Sequence, residues 1–197
     1  MRRTILLLAT MALTLLGASG VALAVNKIGT DGPDTLRGTN GDDNLIGKGG
    51  NDILLALAGN DNLLGGPGKD LENGGSLARP FGGAKNLEGG SGNDAVQGGL
   101  GSDNLVGGGG NDFLFGADNH PKKDTLSGGA GNDVLSVWNQ PAGKDIVSCG
   151  SGFDRVLADR DDLLAADCER VFLGERKIDA WFESIPESFW EGLHPQF

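Results

Sequence analysis

Leu36, Leu45, Leu54 and Leu63 stand nine residues apart, each with one neighbour on either side before polar and glycine-rich sequence resumes. The same phase returns at Val96, Leu105, Leu114, Leu126, Leu135, Val147 and Val156, with steps of nine or twelve. A single aliphatic position between two others predicts a very short strand whose central side chain points inward while its neighbours point out. Two such units make one coil of 18 residues with a strand and a turn on each side, and stacked coils place parallel strands about 4.8 Å apart. The core of such a stack is thin, essentially one Leu or Val per strand. Glu72 alone breaks the aliphatic rule. A local bulge there is expected to turn Glu72 outward and put Leu71 inside.

The polar positions are as regular as the apolar ones. Two residues before each strand centre stands an aspartate: Asp34, Asp43, Asp52, Asp61, Asp70, Asp94, Asp103, Asp112, Asp124, Asp133, Asp145 and Asp154. Glycines precede them, as in Gly89-Gly90-Ser91-Gly92-Asn93-Asp94. Glycine supplies the positive φ of a tight turn, and Asn, which stands at 51, 60, 93, 111 and 132, tolerates it next best. In alternate repeats the carboxylates stack about one strand spacing apart. A calcium ion between two oxygens at about 2.3–2.6 Å spans roughly that distance, so the column suits Ca2+, with turn carbonyls completing its oxygen shell. Without a cation, like charges near 5 Å repel by a few kcal/mol, about 3 at an effective dielectric near 20. Calcium binding and folding are therefore expected to be one event.

The unit G-G-x-G-x-D-x-U-x, repeated from about Ile28 to Val156, resembles the RTX or haemolysin-type calcium-binding nonapeptide repeat. The resemblance implies an all-β, right-handed parallel β-roll or β-helix solenoid that binds several calcium ions. It also implies that the twelve aspartates are metal ligands, bridging in alternate repeats. The expected pairs are Asp34 with Asp52, Asp43 with Asp61, and Asp52 with Asp70. Beyond an irregular stretch they are Asp94 with Asp112, Asp103 with Asp124, Asp112 with Asp133, Asp124 with Asp145, and Asp133 with Asp154. Residues 73–93 depart from the pattern, with Lys85 in the aspartate phase and Arg79-Pro80 among the glycines, and weak or missing sites are expected there.

Residues 1–24 read as a signal peptide: Met1-Arg2-Arg3, an apolar run from Ile5 to about Val21, then Ala22-Leu23-Ala24 as a cleavage site. Secretion, with no membrane span after cleavage, is the corresponding expectation. The repeats would occupy 25–157, a C-terminal cap 158–180, and an aromatic, acidic tail 181–197. A formal charge of −11 excludes nucleic acid as an expected partner. Two cysteines, Cys149 and Cys168, read in an exported chain as a disulfide tying the cap to the last coil. Solenoids need capped ends because their terminal strands are open edges.

Nothing in the chain marks a catalytic centre. His120 and His194 are isolated, Gly68-Lys69 continues into Asp70 rather than Ser or Thr, and the repeats leave no room for a separate catalytic domain. The expectation is a non-enzymatic, structural or surface-associated calcium-binding protein, with a cell-surface or extracellular polysaccharide as the partner class. The alternative is a carbohydrate-active or ice-binding solenoid using an outward strand face, which requires a ladder of one residue type. The residues after the aspartates run from Thr35, Asn44, Ile53 and Asn62 to Val134, Ile146 and Arg155, and read in chain order they form no ladder.

Overall fold

The computed structural model describes residues 23–74, 83–116, 122–138, 143–174 and 178–189. The expected signal peptide as far as residue 22, Arg79-Pro80, His120, His194 and the expected tail from 190 onward lie outside the described residues.

The short strands form as the repeat demands and sort themselves by parity. One parallel sheet (sheet A) stacks β1 (Asn26–Ile28), β3 (Asn44–Ile46), β5 (Asn62–Pro67), β7 (Asn86–Ser91), β9 (Asn104–Gly109), β11 (Thr125–Ala130), β13 (Ile146–Ser151) and β15 (Leu163–Leu164), in that order. The other (sheet B) stacks β2 (Thr35–Arg37), β4 (Ile53–Leu55), β6 (Leu71–Asn73), β8 (Ala95–Gln97), β10 (Phe113–Phe115), β12 (Val134–Ser136), β14 (Arg155–Ala158) and β16 (Arg170–Leu173). The chain is therefore a β-solenoid in which consecutive strands alternate between two sheets. Leu45, Leu54, Leu63, Leu87, Val96, Leu105, Leu114, Leu126 and Leu135 are fully buried between the sheets and form one continuous core.

The insertion at 73–93 does not break the stack. Asn62 pairs with Asn86 and Leu71 with Ala95, so both sheets cross it in register. The expected bulge at Glu72 is absent. Glu72 lies between Leu54 and Val96 on the core face with no exposed surface, while Leu71 is 38% exposed. Slipping one strand by a residue would reverse every side chain it carries. The paired neighbours on both sides hold the parity against the preference of one carboxyl group.

Reading the outward positions sheet by sheet also corrects the expectation of no ladder. Asn26, Asn44, Asn62, Asn86 and Asn104 stack on consecutive strands of sheet A, and Asn62 Nδ2 donates to Asn44 Oδ1 at 2.8 Å. The corresponding row of sheet B is mostly apolar, with Ile53, Leu71, Ala95, Phe113 and Val134.

Both sheets continue past 157 through β15 and β16, which pair with β13 and β14. Cys149 and Cys168 are disulfide-bonded, with Cα atoms 5.1 Å apart, joining the last long strand of sheet A to the segment before β16. Helix α1 (Ile178–Ser184) lies on the outer flank of sheet B. Its Trp181, with Ile185 and Phe189 just beyond, is buried against Val134, Leu157 and Phe172, and Arg155 Nε donates to the Ser184 carbonyl at 2.8 Å. The first half of the aromatic segment thus packs on the solenoid itself.

Candidate metal centre

Each repeat aspartate closes the turn that leads into a strand, and each except Asp34, in the first coil, is held by the coil before it. In the first column, leading into sheet B, the backbone N–H of Asp34, Asp52, Asp70, Asp94, Asp112 and Asp133 donates to Oδ1 of the next aspartate in the column, at 2.7–2.9 Å. The bond from Asp70 to Asp94 spans 24 residues and carries the column across the insertion. In the second column, leading into sheet A, Asp43 donates in the same way to Asp61, Asp103 to Asp124, and Asp124 to Asp145. All eight expected pairs are brought together. Eleven of the twelve aspartates are buried; Asp34, in the first coil, is half-buried.

The second carboxylate oxygen decides what the columns can do. Oδ2 of Asp52, Asp70, Asp94, Asp112, Asp133 and Asp154 is buried and accepts no hydrogen bond. A charged group in that condition is costly unless a counter-charge or further donors meet it. Burial accordingly pushes the carboxyl of Asp70 up to about 6, Asp94 and Asp133 to about 7 and Asp112 to about 8. The N–H from the preceding coil opposes this shift, and neighbouring column aspartates add to it. Near Oδ2 lies a carbonyl oxygen of the next coil. A Cβ placed on Gly107 would stand 2.5 Å from Asp112 Oδ2 and 2.6 Å from the Gly128 carbonyl oxygen. Gly65 and Gly128 show the same arrangement, with Asp70 Oδ2 and Gly89 O, and with Asp133 Oδ2 and Cys149 O. An orphaned carboxylate oxygen beside a carbonyl from the next coil, with a glycine leaving the space clear, is a donor set for a hard cation that takes all-oxygen ligands. The residues present fit Ca2+.

The fit is uneven between the columns. First-column turns between Asp70 and Asp154 are extensions of the six-residue strands of sheet A, and Gly66, Gly90, Gly108, Gly129 and Gly150 stack there at φ between 101° and 114°. Only glycine takes that conformation without strain. In the first coil, Asp34 Oδ2 already accepts the N–H and hydroxyl of Thr30, and Asp43 Oδ2 accepts the N–H of Thr39. In the second column, Ala56 and Val137 stand where the glycine beside the carboxylate would be, and Lys85 takes an aspartate's place outright. The most uniform run is therefore Asp52, Asp70, Asp94, Asp112 and Asp133.

Two carboxylates were not among the expected site residues. Asp162 Oδ1 accepts the Asp145 N–H at 3.0 Å, and Glu169 Oε2 accepts the Asp154 N–H at 2.9 Å, so each ends one column. Neither keeps the nonapeptide spacing, but each stands two residues before an aliphatic strand residue, Leu164 and Val171, as the repeat aspartates do, and that is the signal that could have found them.

The RTX calcium-binding nonapeptide repeat matches the chain in four copies, over residues 28–63, 37–72, 86–120 and 122–138. The chain belongs to the RTX repeat family. The matches leave out residues 73–85, the stretch of this RTX chain in which Lys85 stands in the aspartate phase. No curated protein matches the RTX chain as a significant relative. Among the described residues, no helix is long and apolar enough to cross a membrane.

Proposed function

We propose that this RTX chain is a secreted calcium-binding protein whose repeats fold as calcium binds between their stacked turns. Its role is structural or surface-associated. The observation that carries the reading is the row of buried, unpartnered Oδ2 atoms of Asp52, Asp70, Asp94, Asp112 and Asp133 in the first column, each near a carbonyl oxygen of the next coil across a glycine. Each carboxylate of that run would hold Ca2+ together with the turn carbonyls of the next coil, and the ion would supply the positive charge that its burial calls for. The basic and apolar leader at residues 1–24 supports export into a medium where calcium is plentiful. An extracellular polysaccharide remains the partner class proposed from the sequence.

The test is a calcium titration of the mature chain followed by far-ultraviolet circular dichroism. A cooperative gain of β signal is expected, with magnesium a poor substitute because it demands a tighter octahedral shell and dehydrates reluctantly. Native-like β signal in excess chelator would overturn the coupling of calcium to folding.

A further inference from the structure

We infer that Lys85 is the resident cation of its own rung, so that the second column carries an ammonium where its neighbours would take a calcium ion. This rests on the calcium reading above, and deepens it by assigning one rung to the chain itself.

The backbone of Lys85 behaves as a repeat aspartate's does, its N–H donating to Asp103 Oδ1 at 2.9 Å. Its side chain then does what no aspartate can. Nζ lies 3.5 Å from Asp61 Oδ2, donates to the Gly59 carbonyl at 2.6 Å and to the Gly83 carbonyl at 3.1 Å. Gly59 and Gly83 each stand two residues before the column residue of their turn, Asp61 and Lys85. The ammonium is therefore surrounded by the oxygens of two stacked turns and the carboxylate oxygen that elsewhere in the stack lacks a donor. Lys85 is 1% exposed, and burial of an ammonium is tolerable only where such partners surround it.

Charge arithmetic agrees. A lysine carries the same net charge as an aspartate together with one divalent cation, so exchanging that pair for a lysine leaves the electrostatic balance of the column unchanged. A second feature points the same way. The glycines beside Asp43, Asp103 and Asp124 are Gly38, Gly98 and Gly116, whereas beside Asp61, which faces the ammonium, the position is Ala56, as it is Val137 beside Asp145, both fully buried. The turn that faces an internal ammonium has given up the open space kept for an ion.

The experiment uses the full mature chain in saturating calcium. Amine acylation read by mass spectrometry should leave Lys85 protected while exposed Lys48 and Lys69 react. Equilibrium dialysis should find one more calcium ion per chain in Lys85→Asp than in the wild type, at equal β content. Lys85→Met, which keeps the stem and removes the charge, should gain no ion and should need several-fold more calcium to fold. Acylation of Lys85 as fast as Lys69 in the folded chain would overturn the inference. So would a folded Lys85→Asp with no additional calcium, or a Lys85→Met that folds at the wild-type calcium concentration. A wild type that binds no calcium yet protects Lys85 would instead sink the calcium reading and leave the ammonium rung standing.

Discussion

Replacing one carboxylate in the middle of the first column and one at its end should have unequal costs, and the structure gives the size of the difference. Asp112 is fully buried; its Oδ1 takes the Asp94 N–H at 2.9 Å and its Oδ2 faces the Gly128 carbonyl across Gly107. Asp112→Ala leaves a buried N–H without an acceptor, a loss of about 1.5–3 kcal/mol for a bond to a charged group. It also removes a cation ligand, and a tenfold weakening of one ion adds about 1.4 kcal/mol. The sum is about 3–4 kcal/mol. Asp34 is half-buried, and its side chain serves mainly Thr30, four residues away. Asp34→Ala should cost about 1 kcal/mol, an ordinary local hydrogen bond. The gap of about 2–3 kcal/mol corresponds to at least about 30-fold in the folding equilibrium. Urea titration at fixed, saturating calcium measures it. The midpoint of Asp112→Ala should lie about 1–2 M below that of Asp34→Ala, with the slope unchanged. Equal midpoints, or a larger drop for Asp34→Ala, would show that the buried column does not carry the stability assigned to it.

Four further outcomes follow from individual positions. Gly107→Ala should weaken calcium-induced folding by about 2 kcal/mol or more, because its methyl group fills the space between Asp112 Oδ2 and Gly128 O, whereas Gly109→Ala, with nothing within 4 Å, should stay within about 0.5 kcal/mol in the same urea assay. Lys48 is exposed at φ 85°, so Lys48→Gly should raise stability by about 0.5–1 kcal/mol, read as a higher melting temperature. Glu72 is held on the core face without a hydrogen bond of good geometry, and burial first, with Asp94 and Asp70 next, raises its carboxyl to about 8. Glu72→Leu should therefore stabilise the loaded fold by about 1–3 kcal/mol, and a destabilised variant would mean that the carboxyl has a partner when calcium is bound. Reduction of Cys149–Cys168, whose loop closure is worth about 3 kcal/mol in the chain-entropy description, should lower amide protection between Asp133 and Val171 before it changes the coils near Asp52.

The sequence carried the periodic part of this molecule and little else. Strand centres, alternate pairing and the disulfide were all legible, because each follows from a fixed spacing or from two cysteines in a chain read as exported, whereas the burial of the aspartates was not among the expectations. Glu72 was misplaced because local preference was weighed above register, and a parallel strand paired on both sides has no freedom to slip. The asparagine row of sheet A was hidden by reading both sheets as one series, although its members are consecutive once alternate repeats are separated. Asp162 and Glu169 were missed because the spacing shortens to eight and seven residues after Asp154, although both keep the acid two residues before an aliphatic strand residue. The ammonium of Lys85 was visible only as a break in the pattern until the carbonyls of Gly59 and Gly83 were seen around it.

Those two terminal carboxylates separate the unit of folding from the unit of repetition. Every turn in a column except that of Asp61, whose successor is Lys85, leans on a carboxylate supplied by the next coil, so a stack assembled from repeats alone ends on N–H groups without that acceptor. Here Asp162 and Glu169 provide the final acceptors from outside the repeat. A fragment cut after Val156 would keep every nonapeptide and still present Asp145 and Asp154 with exposed donors at an open edge. Appending further nonapeptides at that point would only move the same deficit along. The length of this solenoid is set by where the borrowed acids sit, and anyone lengthening, shortening or transplanting it must carry residues up to β16 as its closing piece.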